Sequence, residues 1–77
     1  MKITLYSTPA CHYCAEVKQF LDGQGIPYTV KDVSTDEKAA EELVEKSGQS
    51  GVPVIDIDGK ILVGYTEANL KRLLKLP

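Results

Sequence analysis

The sequence predicts an α/β domain with the element order β-α-β, then α, then β-β-α. Short runs rich in β-branched and aromatic residues alternate with segments whose apolar residues recur every three or four positions. A helix that connects the first two strands makes them parallel, and the crossover between them right-handed. An Asp-Gly pair between the last two strands makes them antiparallel. We therefore expect one mixed sheet with helices packed against it.

The first strand and helix are predicted from the N-terminal 25 residues. Lys2–Ser7 has the composition of a strand. Pro9 ends that pattern, so the first helix begins at or near Cys11. Gly23 and Gly25 end the helix, because glycine adopts the left-handed cap conformation at no steric cost. The predicted inward face of this helix consists of Cys14, Val17 and Leu21, with Phe20 beside them.

The second strand and helix follow. Ile26–Val30 is the predicted strand, with a possible extension to Val33. Ser34 and Glu37 match a capping box, in which each side chain bonds the backbone amide of the other residue. The helix then ends near Gly48. Its predicted inward residues are Ala40, Leu43 and Val44.

A hairpin and a short helix complete the prediction. Pro53–Ile57 and Lys60–Val63 flank Asp58-Gly59, which is the pair that a type I′ turn prefers. Thr66 is a candidate N-cap for the last helix. The apolar face of that helix consists of Leu70, Leu73 and Leu74.

Length and composition limit the possible functions. We expect one domain, residues 1–77, with a thin core, because a chain this short buries only about 60% of its unfolded surface. The net charge of −2 argues against nucleic acid as a partner. Met1–Ser7 lacks the apolar run of a signal peptide, and no stretch is apolar enough to span a membrane. We therefore expect a cytoplasmic protein, and a monomer, because no large apolar surface stands out.

The two cysteines, Cys11 and Cys14, are the predicted catalytic residues. The N-terminus of a helix carries partial positive charge and unpaired amide donors, which favour a thiolate on Cys11. Cys14 lies one turn later and points inward. Cys11 is then the exposed nucleophile that attacks a disulfide, and Cys14 resolves the mixed disulfide. His12 either favours the thiolate further or is an exposed imidazole with little effect. Tyr13 is either a substrate contact beside the dithiol or an aromatic side chain that simply faces solvent.

Two other functions remain open for this Cys-x-x-Cys pair. One is a module that binds a metal or cluster without turnover, although a closed zinc site needs four ligands and the chain offers two thiols and one histidine. The other is a redox-sensing domain whose oxidation changes its binding to another protein. A permanent structural disulfide is disfavoured, because it would close too short a loop to restrain the unfolded chain much.

Gly51-Val52-Pro53 is the second candidate site segment. A proline that begins a strand is a candidate for a cis peptide bond. Val52 could then offer its backbone to an extended substrate, as in β-augmentation, and an ordinary edge-strand proline is the alternative. Gly64 either permits close approach of a ligand or marks a bend. The expected substrate-binding residues are His12, Tyr13, Val52, Pro53 and Gly64.

In their order along the chain, Cys-x-x-Cys, Val-Pro and Gly64 resemble the glutaredoxin branch of the thioredoxin fold. The resemblance implies a four-stranded mixed sheet flanked by three helices, with Pro53 cis and opposite Cys11. It also implies thiol–disulfide exchange through Cys11 and Cys14, without a bound cofactor. The redoxins that supply electrons to ribonucleotide reductase are similar too. Disulfide-containing proteins are the expected substrates, and ribonucleotide reductase is one candidate among them.

The chain departs from glutathione-using members at both ends of the glutathione site. Thr8 stands where they often have a lysine or arginine, and Thr66 stands where they have an aspartate, with Glu67 adjacent. Val63-Gly64 replaces a Gly-Gly pair. A lost charge-assisted hydrogen bond typically costs ~1.5–3 kcal/mol. We therefore expect a thioredoxin-reductase-type flavoprotein, rather than glutathione, to be the reductant.

Overall fold

The computed structural model describes residues 2–49, 51–64 and 66–75. Residues 1 and 76–77, at the two ends of the predicted domain 1–77, lie outside the described residues. The element order confirms the predicted β-α-β, α, β-β-α sequence. The elements are β1 (Ile3–Ser7), α1 (His12–Gly23), β2 (Thr29–Asp32), α2 (Glu37–Ser47), β3 (Val54–Ile57), β4 (Lys60–Val63) and α3 (Glu67–Leu74).

The four strands form one mixed sheet in the order β2-β1-β3-β4. β1 and β2 run parallel, with Leu5 beside Val30. β3 is antiparallel to β1, with Tyr6 beside Val54, and β4 is antiparallel to β3. The predicted parallel and antiparallel pairings are therefore confirmed, and the four-stranded mixed sheet with three helices is the architecture that the resemblance implied.

The core lies on both faces of the sheet, because successive side chains of a strand point to opposite faces. Ile3 and Leu5 of β1 pack with α1 and α3 on one face, whereas Tyr6 packs with Leu43 of α2 and Val54 on the other. The first cluster is much the larger. Its buried residues are Ile3, Leu5, Val17, Leu21, Ile55, Ile57, Leu70 and Leu74. No helix within residues 2–49, 51–64 and 66–75 is long and apolar enough to cross a membrane.

β2 begins later than the sequence predicted, at Thr29 rather than Ile26. The amide of Ile26 closes the end of α1 by donating to the Leu21 carbonyl at 3.0 Å. Pro27 has no N–H to donate to a strand ladder. Pairing with β1 therefore starts at Thr29, which lies beside Thr4.

The predicted capping box of α2 is wrong by two residues. Asp36 is the N-cap, and its carboxylate accepts from the Ala39 amide at 3.2 Å. Ser34 instead donates its hydroxyl and its amide to Asp32 in the preceding turn. The inward face also differs from the prediction, because Ala39 and Leu43 are buried while Ala40 is half-buried and Val44 is 47% exposed. The helix ends at Ser47, close to Gly48 as predicted, and Gly48 caps it in the left-handed conformation.

The hairpin prediction is confirmed. Asp58 and Gly59 have φ angles of 51° and 91°, as a type I′ turn requires. Thr66 is the N-cap residue of α3, although its hydroxyl accepts from the Asn69 side chain and makes no capping bond to the backbone. The face predicted for α3 is also confirmed, since Leu70 and Leu74 are buried.

Candidate active site

The dithiol lies where β1 passes into α1. The short Thr8–Ala10 connection is closed by a hydrogen bond from the Cys11 amide to the Thr8 carbonyl, at 3.2 Å. Cys11 itself has extended backbone angles and is the N-cap of α1. The start of the helix predicted from Pro9 is therefore correct, and it places the first cysteine at the helix terminus.

The two cysteines differ in environment, although a disulfide joins them. Cys14 is 1% exposed and belongs to the buried face of α1, whereas Cys11 is half-buried. The Cys14 amide donates to the Cys11 sulfur at 3.1 Å, so this sulfur occupies the place of a capping oxygen. A hydrogen bond of this kind stabilises a thiolate more than a thiol.

His12 and Tyr13 lie on the solvent side of the dithiol. The His12 side chain is 83% exposed and its Nε2 is 4.0 Å from a carboxylate oxygen of Glu16, one turn along α1. Tyr13 is 58% exposed, and its ring meets the His12 ring edge-on at 5.7 Å between centroids. Both side chains are therefore accessible to a partner. The expected contact between these residues and a substrate stays a prediction.

Val52, Pro53 and Gly64 are the other residues that the sequence predicted to bind a substrate. The Val52–Pro53 peptide bond is cis, as the resemblance implied. The Gly64 amide donates to the Pro53 carbonyl at 2.9 Å, and the positive φ of Gly64, 82°, favours glycine. Because Tyr6 lies beside Val54 in the sheet, Pro53 is next to the end of β1 from which the dithiol connection departs.

The residues at the expected glutathione positions are neutral or already paired. Thr8 is half-buried, and the Thr66 hydroxyl accepts from Asn69 at 2.7 Å. The Glu67 carboxylate lies 3.7 Å from the ammonium of Lys71. The acidic neighbour of Thr66 therefore has an intramolecular cation as its partner.

The sequence reasoning missed a polar network between α2 and the sheet. At its centre is Tyr6, which is fully buried and whose hydroxyl donates to Glu42 and accepts from Lys46, both at 3.1 Å. Lys31 pairs with Glu42 and Lys46 with Asp56, both at 2.7 Å. Tyr6 was the available signal, because it faces away from the Ile3 and Leu5 side of β1 and a buried tyrosine hydroxyl needs partners.

The charges of this network stabilise one another. The Lys46 pKa is raised above its usual value, first by its hydrogen bond to Asp56 and then by its hydrogen bond to Tyr6. Burial opposes ionisation of Asp56, but hydrogen bonds from Lys46 and the Gly59 amide outweigh it and hold the Asp56 pKa below its usual value. At neutral pH the Lys46–Asp56 pair is therefore fully ionised.

Metal ligands are sparse around the dithiol. Across the part of the chain that the structure describes, no group of three or more His, Cys, Asp and Glu side chains is placed to hold a metal ion.

The sequence model of the glutaredoxin family matches residues 3–62. A glutaredoxin-like 8.6 kDa protein in the rubredoxin operon of Clostridium pasteurianum is 42% identical over 73 residues, which cover 95% of this chain and 97% of that protein. N-acetyl-S-hydroxy-L-cysteine reductase of Bacillus subtilis is 38% identical over 74 residues, which cover 95% of this chain and 80% of the enzyme.

Solved structures show the same fold. A variant of a thioredoxin-like protein superposes with a TM-score of 0.92 and 32% identity, over 99% of this chain and 97% of that one. The glutaredoxin-like NrdH-redoxin of Escherichia coli, described as having a thioredoxin-like activity profile, superposes with a TM-score of 0.83 and 26% identity over 95% of both chains.

Proposed function

The chain belongs to the glutaredoxin family and is a thiol–disulfide oxidoreductase, and on this premise we propose that it reduces disulfides in protein substrates. Cys11 is the nucleophile and Cys14 is the resolving thiol. The electrons come from a thioredoxin-reductase-type flavoprotein rather than from glutathione. Ribonucleotide reductase is one candidate among the substrates.

The reaction consists of two exchanges. The Cys11 thiolate attacks one sulfur of the substrate disulfide, forms a mixed disulfide and displaces a substrate thiolate, which takes up a proton. The Cys14 thiolate then attacks the Cys11 sulfur and displaces the second substrate thiolate. The substrate has gained two electrons, and the Cys11–Cys14 disulfide that remains is reduced by the flavoprotein.

The observation that carries this assignment is the contrast between the two sulfurs. The Cys11 sulfur accepts the Cys14 amide at 3.1 Å at the start of α1, and Cys11 is the less buried of the two residues. Cys14 is 1% exposed, so a bulky protein disulfide cannot reach it first. These features support attack by Cys11 and resolution by Cys14.

The backbone beside the cis peptide supports a protein substrate. Val52 precedes β3, next to the end of β1 and therefore on the dithiol side of the sheet. An extended substrate could pair with the Val52 backbone while its disulfide lies at Cys11. Exposed Tyr13 and Val63, at 58% and 47%, offer apolar contacts for such a chain.

Neutral Thr8 and Thr66 support the choice of thioredoxin reductase over glutathione as the reductant, because neither side chain offers a charge to the charged groups of glutathione.

The test measures NADPH loss with oxidised protein in two parallel assays, one with glutathione and glutathione reductase, the other with thioredoxin reductase. We expect fast turnover only in the second assay. Fast turnover with glutathione would show that other residues hold the tripeptide and that Thr8 and Thr66 were misinterpreted.

The roles of the cysteines are tested in the same assay with insulin as the disulfide substrate. Cys11→Ser should abolish turnover, because no nucleophile remains, whereas Cys14→Ser should stop at a mixed disulfide. Unchanged turnover of the Cys11→Ser variant would remove the proposal. Iron or zinc bound to freshly purified protein, with dimerisation, would favour a metal-binding module, and a tight redox-dependent complex without turnover would favour a sensor.

A second candidate function is reduction of a small-molecule sulfenic acid, which the name of the Bacillus subtilis relative suggests. Attack of the Cys11 thiolate on the R–S–OH sulfur would release hydroxide and give a mixed disulfide, which Cys14 would resolve to R–SH. Partial exposure of Cys11 allows this reaction. Higher kcat/KM for N-acetyl-S-hydroxycysteine than for insulin would favour this candidate, and the reverse order would favour the protein-disulfide function.

A further inference from the structure

Within the described part of the chain, two ion pairs join α2 to the sheet, Lys31–Glu42 and Lys46–Asp56. Of these two, Lys46–Asp56 joins residues that flank the proposed substrate segment in the sequence. Lys46 lies in the last turn of α2, and its ammonium reaches Asp56 of β3 at 2.7 Å. Gly51-Val52-Pro53 lies between these two residues, which are ten positions apart in the chain. The pair therefore joins the elements on either side of the segment that precedes β3.

The Lys46–Asp56 contact is well defined on both sides. Asp56 is 15% exposed in its side chain, and its second oxygen accepts from the Gly59 amide at 2.8 Å. Lys46 also donates to the hydroxyl of the fully buried Tyr6 at 3.1 Å. An ammonium with two directed partners fixes the end of α2 against β1 and β3 more firmly than a solvent-exposed pair would.

The apolar contacts of α2 are few. Ala39 and Leu43 are its only buried residues within the described part of the chain, and Leu43 belongs to the smaller core cluster with Tyr6 and Val54. The position of the helix end therefore depends strongly on the polar network. At the β3 end of the segment, the Pro53 carbonyl accepts a hydrogen bond from the Gly64 amide.

We propose that Lys46 is a positioning residue for substrate binding, because its bonds to Asp56 and Tyr6 fix the Gly51–Pro53 segment where an extended substrate pairs. This inference rests on the proposed function, in which the Val52 backbone binds a protein disulfide. Lys46 takes no part in electron transfer. Its loss should therefore affect binding of an extended substrate and leave the chemistry at Cys11 unchanged.

The chain supplies a matched control in the second ion pair. Lys31 of β2 pairs with Glu42 of α2, also at 2.7 Å, and the two lysine side chains are 36% and 38% exposed. The Lys31 ammonium lies 5.8 Å from the centre of the Tyr6 ring, against 5.6 Å for Lys46. This pair does not enclose the Gly51–Pro53 segment. Lys31→Met therefore removes one ion pair between α2 and the sheet without releasing the segment, whereas Lys46→Met also removes the hydrogen bond to the Tyr6 hydroxyl.

The experiment compares Lys46→Met, Lys46→Arg and Lys31→Met as full-length proteins, with a disulfide-bonded peptide and with hydroxyethyl disulfide. For Lys46→Met we expect the KM for the peptide to rise about fivefold, the effect of losing a partly exposed ion pair, with kcat unchanged. The kcat/KM for hydroxyethyl disulfide should stay constant. Lys46→Arg should restore the KM, and Lys31→Met should leave it unchanged.

Amide hydrogen exchange gives a second readout that does not depend on turnover. The Gly64 amide bonds the Pro53 carbonyl, so its exchange rate reports on the position of the segment. We expect faster exchange of Gly64 in Lys46→Met than in Lys31→Met.

Three outcomes would overturn the role of Lys46. An unchanged peptide KM for Lys46→Met contradicts it while leaving the proposed function intact. An equal loss with both substrates contradicts it as well, since the effect would then reach the dithiol. Wild-type protein that does not reduce the peptide contradicts the proposed function, and the role of Lys46 with it.

Discussion

Cys11 is both the cap of a helix and one half of a redox couple. Its sulfur accepts the Cys14 amide, so a negative charge on that sulfur lies at the positive end of the α1 dipole. In the proposed mechanism, this helix terminus is the feature that favours the Cys11 thiolate, in a chain with one histidine and a net charge of −2.

The neutral residues at the expected glutathione positions give a prediction at the same scale. The double variant Thr8→Lys, Thr66→Asp should raise the glutathione-dependent rate about a hundredfold or more, because each of the two added charge-assisted bonds is typically ~1.5–3 kcal/mol. The NADPH assay with glutathione reductase measures the gain. Thr29→Lys, which adds the same positive charge on β2, is the control. No gain in the double variant would mean that glutathione binding fails for another reason.

At the scale of elements, α2 depends on its cap. Asp36→Ala should lower the free energy of unfolding by about 1 kcal/mol, because the Ala39 amide loses its partner. Ser34→Ala should change it by less than ~0.5 kcal/mol, since Ser34 is exposed and its hydroxyl bonds Asp32 rather than a helix amide. Urea titrations of both variants measure the difference. A larger loss for Ser34→Ala would support the capping box that the sequence predicted.

Most elements could be predicted because their signals are local. The Asp58-Gly59 turn and the glycine that ends α2 follow from backbone conformations that few residues adopt. The start of α2 could not be predicted in the same way. Ser34 and Asp36 are both good caps, and the choice between them depends on Asp32, which takes the Ser34 hydroxyl and amide in a turn.

The candidate site was predicted unevenly for a similar reason. Cys11, Cys14 and the cis peptide before Pro53 carry motifs that are visible in the chain or implied by the family resemblance. Lys46 and Asp56 carry no such motif. Their contact depends on how α2 lies across the sheet. It could not be predicted, because the apolar pattern of α2 predicted the wrong inward face for that helix.

At the scale of the whole molecule, stability should depend on pH through the Lys46–Asp56 pair. Because folding lowers the pKa of Asp56, its carboxylate contributes fully to the free energy of unfolding at pH values above its pKa in the unfolded chain, about 3.9. This contribution is lost as pH falls through the lower pKa of Asp56 in the folded protein. Because folding raises the pKa of Lys46, its ammonium contributes fully to the free energy of unfolding below its pKa in the unfolded chain, ~10.4. This contribution is lost only as pH rises through the higher pKa of Lys46 in the folded protein. The ion pair therefore stabilises the protein at pH values between the pKa of Asp56 and the pKa of Lys46.

Comparison of wild type with Asp56→Asn tests this dependence. Asparagine keeps an oxygen for the Gly59 amide and removes the charge. The variant should be less stable by about 1 kcal/mol near neutral pH, as expected for a partly exposed pair, and the difference should shrink below about pH 4. Urea titrations at several pH values measure it. A difference that is the same in acid as at neutral pH would show that the charge on Asp56 is not its cause.

The most direct test of the account is to trap the mixed disulfide. Cys14→Ser and Cys11→Ser are each mixed with a disulfide-bonded peptide, and intact-mass and peptide mapping locate the adduct. The account predicts a stable peptide adduct on Cys11 in the first variant and far slower labelling of the 1%-exposed Cys14 in the second. Faster labelling of Cys14 than of Cys11 would reverse the two roles and contradict the central claim.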